Sequence, residues 1–600
     1  MQVTWKPSRW WQAGNVFTRR NLRNSGPWLI FLCAVLGAGI GLVVVALHEL
    51  VGLLHAAAFH LAPGRRLSAG IGLARFSVLT VPPLGGLGLG LFRIAVGRWR
   101  RREIVDPIEA NAMRGGQMSL LDSARLALTT VISNAAGASV GMEAAYSQMG
   151  SGLLSRFGQV VRLRRRDLRI FVGAGAAAAI SAAFNAPLAG AFYAFELVLG
   201  SYNAATLAQI AVASMAGSLV VRALVRIEPI FHVHMAIGVP DWLYAVFAVL
   251  GVAAAPLAVG TMRLVAILEV SFRRLPLPAW LRPAAGGAAV SLIALAFPQV
   301  LGSGQGAIQA QLDAPWQLAP LAGLLIAKVM ASALSIGAGF RGGLFSSSLL
   351  MGCLFGELAG RLATLAVPAM AVHETTFMLV GMGAVAAGII GAPVTMVLLA
   401  LEMTGSFPVS LAVFVGVVVC SAIVRHTFGF SFSTWRFHLR GMPITGAEDV
   451  GWLAELTVGR LMRPPRVVPA GMPLSQLRAE IPPGPLRTVF VVDAAGDYLG
   501  RIDTAAIHDP DLDDALPGLV ALDLASHRGQ YLLPNHEVRH ALGRFLEWVV
   551  EELPVLAAET DRRPIGLLTE PYALRRYSQE LESRAGGAIG MPEPAGGHRE

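Results

Sequence analysis

The chain has 600 residues, of which 54% are hydrophobic and only 14% charged, with a formal net charge of +10. A soluble chain of this length carries nearer a quarter charged residues, so the apolar excess must face lipid and a soluble globular protein is excluded. The positive charge is almost wholly arginine in short loops beside apolar segments, with Lys6 and Lys328 the only lysines, which points to membrane topology rather than nucleic acid as its cause.

Arg19, Arg20 and Arg23 precede the first apolar stretch, residues 28–47. That stretch is long and no A-x-A site closes it, so it reads as a membrane helix with a cytoplasmic N-terminus rather than a cleaved leader. Residues 126–140, 204–221, 243–259, 318–334 and 409–423 are further candidate spans, whereas 81–94 and 377–401 are short or interrupted by Gly and Pro. Interrupted helices at membrane depth are tolerated only where they are buried in protein or line a cavity, which favours a transporter or channel over an anchor. Arginine clusters at 98–102 and 162–169 place two loops in the cytoplasm. Cys33, Cys353 and Cys420 lie in apolar segments with neither metal spacing nor a disulfide framework and read as packing residues; no cofactor is implied. His48 and Glu49 raise an intramembrane zinc protease, but that chemistry needs two histidines four apart. The next is His55, with Gly52 at the required place, so the chain is not read as an enzyme.

The membrane part contains a repeat. Val172-Gly173-Ala174-Gly175, Ala186-Pro187 and Ala194-Phe195-Glu196 recur as Val380-Gly381-Met382-Gly383, Ala392-Pro393 and Ala400-Leu401-Glu402, with identical spacing from Ala-Pro to Glu. Two similar halves with interrupted helices mark a site lying between them. An anion in a membrane needs partial positive charge without buried full charges, and helix N-termini supply it. Two Gly-rich breaks at 137–145 and 337–345 fit that need, and the first carries Glu143, an intramembrane carboxylate that is by default a functional candidate.

Here the chain resembles the CLC chloride channels and chloride–proton antiporters. Their G-R/K-E-G-P motif aligns with Gly141, Met142, Glu143, Ala144 and Ala145, followed by Gln148 and Gly150. Their A-F-N-A-P-L-A-G stretch is intact at 183–190, G-G-x-F-x-P aligns with Gly342, Gly343, Leu344, Phe345, Ser346 and Ser347, and a G-M-G-A…A-P…L-E-M-T run spans 381–404. The resemblance covers residues 28–440 in order. It implies an all-α polytopic membrane protein with the CLC fold of two inverted-topology repeats and broken helices. It further implies a homodimer in which each subunit has its own anion pathway. Glu143 is then the gating glutamate, whose carboxylate occupies an anion site until protonation releases it.

Departures from the family pattern are equally informative. The central G-S-G-I-P aligns with Glu103 to Pro107 and keeps only the proline, so Ile104 offers no hydroxyl. Asp106, Pro107 and Glu109 read as an N-cap, a first-position proline and an N3 glutamate, so that Asp106 consumes amides the family offers to the anion. Met142 replaces a cation at the pore entrance. The pore tyrosine is missing near Ser433 and Thr434, and Ser433 is retained as a hydroxyl candidate. Leu197 stands at the internal proton glutamate, with Glu196 one residue earlier as a possible substitute on a proton path. Divergent bacterial members lack these elements. The reading is therefore chloride transport with a lean to passive conduction. A chloride–proton antiporter, a fluoride-selective member and a CBS-bearing metal-ion transporter are the alternatives; the last would want several intramembrane carboxylates. The implied location is the inner membrane with both termini cytoplasmic.

After residue 440 the composition turns soluble. The expected order is a cytoplasmic segment at 1–27, the membrane domain at 28–440, a linker at 441–456, a paired module at 457–580 and a disordered tail at 581–600. Residues 457–509 and 521–577 share a layout that resembles a CBS-domain pair, a small α+β module. Thr569 has the nucleotide-binding opening, but Tyr572 stands where the partner Asp belongs, and the other copy has Asp503 and Ala506 there. That argues against a bound nucleotide and for a structural role.

Overall fold

A computed structural model describes residues 26–62, 64–70, 72–99, 104–202, 204–224, 238–313, 316–438, 456–482, 488–509, 518–526, 529–548 and 550–576. They belong to two compact units, Met1–Asp449 and Val450–Glu600. Most of the expected 1–27 segment and of the 441–456 linker, and all of the 581–600 tail, lie outside the described residues.

In the first unit nine helices among the described residues are long and apolar enough to cross a membrane. Lipid gives helices no hydrophobic reason to associate, so close approach depends on small residues. On Gly26–Phe59, Gly37 and Gly41 lie against the backbone at Ala213 and Gly217 of Ala204–Leu224, where a Cβ would collide.

Two spans differ from expectation. Residues 81–94 are part of one continuous helix, Arg75–Trp99, that contains Pro82 and Pro83. Its Gly86 packs on the backbone of Pro283, which begins a neighbouring helix, Arg282–Ala296; such neighbours are what make proline tolerable inside a membrane helix. Residues 126–140 do not form one helix. The helix there, Leu120–Ala135, is short and carries Thr130 and Ser133, whose hydroxyls bond back to carbonyls one turn earlier. The chain then turns at Gly137, whose φ of 78° disfavours any side chain.

The repeat is structural as well as sequential. Asn185 (φ 52°) and Gly391 (φ 82°) end the long helices Arg165–Phe184 and Glu374–Ile390 in the left-handed conformation. Each is followed by an alanine of nearly equal dihedrals, Ala186 (φ −130°, ψ 84°) and Ala392 (φ −127°, ψ 72°), and then by a proline opening a short helix. The short helices are Pro187–Tyr193, prolonged by a wide turn over Ala194–Leu199, and Pro393–Thr404. Before them, Gly150 packs on the backbone of Gly175 in the first half, and Gly352 packs on Gly381 in the second.

The second unit holds β1 (Val467–Pro469), β2 (Thr488–Val492) and β3 (Tyr498–Asp503) in one sheet, with β1 parallel and β3 antiparallel to β2. The antiparallel pair β4 (Glu552–Leu556) and β5 (Pro564–Thr569) forms the other. The helix Leu474–Glu480 precedes β2, and Val538–Trp548 precedes β4. The first copy thus runs strand–helix–strand–strand, whereas in the second the leading strand is reduced to a single parallel bridge between Leu532 and Val555.

Candidate functional site

Two helices of the membrane unit start side by side. Gly141 and Gly343 exchange backbone hydrogen bonds of 2.8 and 3.1 Å in an antiparallel bridge. That bridge brings together the N-termini of Glu143–Val161 and Phe345–Ala366, one from each half. The loop ahead of Glu143 is held by Ser139, whose N–H donates to the Ser335 hydroxyl at 3.0 Å and whose own hydroxyl meets that of Ser332. Asn134 Nδ2 donates to the Val140 carbonyl at 2.8 Å. The Glu143 side chain folds back over Gly141, so closely that a Cβ on Gly141 would overlap its carboxylate. It reaches across to the other half, where Ser346 in the first turn of Phe345–Ala366 donates its hydroxyl to Glu143 Oε1. The carboxylate thus lies at the N-terminus of that helix, where unpaired N–H groups and the helix dipole favour negative charge.

A cavity of about 140 Å³ opens beside it. Of the residues singled out from sequence, Asp106, Glu143, Ala144, Gly342, Gly343, Leu344, Phe345 and Ser433 line it. Gly141 forms the bridge instead. Met142 and Ala145 are turned into a hydrophobic cluster with Tyr146 and Phe171, so the side chain at the family's cation position packs in the core rather than facing the pathway. Ile104 is not on the cavity wall. Asp106 is the N-cap expected of it, accepting from the Ile108 N–H at 2.8 Å ahead of Pro107–Met113. Glu109 pairs with Arg114 at 2.9 Å rather than closing a capping box. Thr434 exchanges hydrogen bonds with Ser431 at the start of Phe432–His438, and Ser433 lies in the chamber wall.

A second, larger cavity of about 850 Å³ is lined by Glu196, Arg425, Ser431 and Thr434 among others. Ile108 and Leu197 line both cavities and form the apolar partition between them. Glu196 caps a helix of the other half. Its carboxylate accepts from the Val394 N–H at 2.8 Å, the Thr395 N–H at 2.9 Å and the Thr395 hydroxyl at 2.6 Å, capping Pro393–Thr404. The repeat's other glutamate does the same in reverse. Glu402 accepts from the Leu188 and Ala189 N–H groups at 2.8 and 2.9 Å, capping Pro187–Tyr193.

This arrangement of paired half-helices around a lone glutamate is matched at the level of family. A family model described as voltage gated chloride channel fits residues 87–425, more than half of the chain. The chain belongs to that family. It is 33% identical over 353 residues, 82% of the relative's length and 57% of this chain, to a ClcB-like chloride channel protein of Ralstonia nicotianae. A voltage-gated ClC-type chloride channel, ClcB, of Salmonella typhimurium is 27% identical over 401 residues, 95% of its length and 66% of this chain. Among solved structures, a slow cyanobacterial Cl−/H+ antiporter has a TM-score of 0.60 at 22% identity, covering 69% of this chain and 97% of its own. A eukaryotic CLC transporter has a TM-score of 0.57 at 18% identity, covering 90% of this chain and 97% of its own. These share the fold.

Several lining residues of this family member escaped the sequence reading. Arg341, just before Gly342, contributes to the wall near Glu143 and supplies a cation from the second break where Met142 fails to supply one from the first. Ser346, named from sequence only within a motif and not on the cavity wall, brings a hydroxyl to the glutamate. Tyr193, Ser147 and Phe432 complete the chamber. The two breaks themselves were the available signal. Which neighbours converge on them depends on how the two halves cross, and no local spacing records that.

Proposed function

We propose that the chain carries chloride across the membrane along a pathway gated by Glu143, by passive conduction. The observation that supports this most directly is the Glu143 carboxylate seated at the N-terminus of Phe345–Ala366 and held by Ser346. An anionic side chain occupying an anion position competes with the permeating ion, and protonation removes that competition. The lean to passive conduction rests on Leu197, which carries no proton, and on Glu196, whose oxygens are engaged by three donors.

Purified protein in liposomes with a chloride gradient and an internal pH probe tests both parts. The expected result is chloride-driven current with no uphill proton movement. Proton uptake against its gradient would replace passive conduction by antiport. Fluoride flux exceeding chloride flux in the same vesicles would change the substrate to fluoride. As the resemblance implies, we place the protein as a homodimer in the inner membrane with both termini cytoplasmic, and read the second unit as a CBS-domain pair with a structural role. In that unit the Arg463 guanidinium lies over the Tyr572 ring, 4.5 Å from its centroid, and Asp503 caps the Ala505 N–H at 3.1 Å. Both side chains at the nucleotide positions are thereby engaged, and unchanged melting on addition of ATP or AMP is expected.

A further inference from the structure

The chamber has lost the family serine and tyrosine hydroxyls, yet an anion leaving a helix N-terminus still needs donors. One phenol stands in its wall. Tyr193 ends the short helix Pro187–Tyr193, and the wide turn that follows, Ala194–Leu199, sends the chain off in a new direction and leaves the ring facing inward. The ring is fixed against Phe345, with centroids 6.1 Å apart and planes at 59°, and Phe345 is braced from its other neighbour by Phe184 at 4.7 Å. The phenol therefore has little freedom to leave the chamber.

Its oxygen faces the Ser147 hydroxyl, one helical turn beyond Glu143, and lies within electrostatic reach of both Asp106 and Glu143. Tyr193 shares the wall of this chamber with Glu143 and with Ile108 and Leu197, which also line the second cavity. A phenol hydroxyl donates strongly to an anion without bringing a full charge that would trap it. Ser147 offers the same hydroxyl an acceptor when the site holds no ion.

We propose that the Tyr193 hydroxyl coordinates the permeating anion on the inner side of Glu143, taking the part of the hydroxyls absent at Ile104 and near Ser433. The inference rests on the anion-transport reading above and names the donor that sets its selectivity. The test is Tyr193→Phe in the full chain, which keeps the ring and its packing on Phe345. Chloride binding to the purified protein is measured by titration calorimetry, and flux of chloride, nitrate and thiocyanate is measured in liposomes. A hydrogen bond to a charged group is worth enough that its loss weakens chloride binding on the order of tenfold. Thiocyanate, a weaker hydrogen-bond acceptor, is expected to be affected least, so the ratio of chloride to thiocyanate flux falls while the response to pH through Glu143 persists. A Tyr193→Phe variant with the wild-type chloride affinity and the wild-type order of anions overturns the inference. Wild-type protein that neither binds nor moves any of these anions overturns instead the transport reading on which it rests. Ser147→Ala separates the two hydroxyls: binding retained within about threefold fits the phenol as donor, and a loss equal to that of Tyr193→Phe assigns the site to Ser147.

Discussion

At the scale of single residues, the proposed gate is a contest between one carboxylate and one ion for the same donors. Removing the charge from Glu143 with Glu143→Gln is expected to flatten the dependence of chloride flux on pH between about 4 and 8, since the glutamine neither titrates nor competes as an anion. Ser346→Ala acts on the same contest from the other side. It removes a charge-assisted hydrogen bond, worth about 1.5–3 kcal/mol, from the seated carboxylate, so flux at neutral pH rises by about an order of magnitude or more. Stopped-flow efflux from vesicles checks both, and an unchanged Ser346→Ala rate would mean that the hydroxyl does not hold the gate. Glu143 was legible in the sequence because a carboxylate between two apolar helices is rare and costly. Ser346 fell at an unspecified position of a motif and was not singled out, since its contact lies across the Gly141–Gly343 bridge in the other half. Met142 was assigned to the pathway by position, yet its side chain turns to the core. The conformation of the loop decides such directions, and spacing does not encode it.

At the scale of elements, both helix breaks were readable because glycine announces them, and Gly137 and Gly339 do adopt left-handed conformations that disfavour most other residues. The Pro82–Pro83 pair made the opposite promise and did not break its helix, because a neighbouring helix packs against that stretch through Gly86 and Gly287. The elements also explain the partition. Ile108 comes from Pro107–Met113 and Leu197 from the turn after Tyr193, and their meeting places two aliphatic side chains where the two cavities adjoin. Apolar constrictions gate ions by excluding water. Leu197→Ser is therefore expected to raise chloride conductance several-fold without creating proton coupling, as measured by the same vesicle assay with a pH probe. A variant that conducts like wild type would show that ions take a route that avoids Leu197.

At the scale of the whole membrane unit, the two halves are joined by reciprocal caps as well as by the glycine bridge. Glu196 closes the N-terminus of Pro393–Thr404 and Glu402 closes that of Pro187–Tyr193. Loss of a helix cap costs about 1 kcal/mol, up to about 2. Glu196→Gln and Glu402→Gln should accordingly lower the melting temperature in detergent by similar amounts and leave chloride–proton stoichiometry alone. If Glu196→Gln changed proton movement while Glu402→Gln did not, Glu196 would be a relay after all. The repeat predicted a site between the halves, and that much was visible from the spacing of Ala-Pro and Glu. The crossing of each glutamate to the opposite helix was not, because an identical spacing is equally compatible with each glutamate serving its own half.

That crossing has a consequence for descent. A contact in which residue i of one half meets residue j of the other, while j of the first meets i of the second, is the self-complementary pattern of a twofold dimer. Had the halves once been separate, identical polypeptides, one glutamate and one Ala-Pro turn in each would have sufficed to write both caps. The present chain can thus be regarded as a fused dimer whose internal interface carries a twofold symmetry.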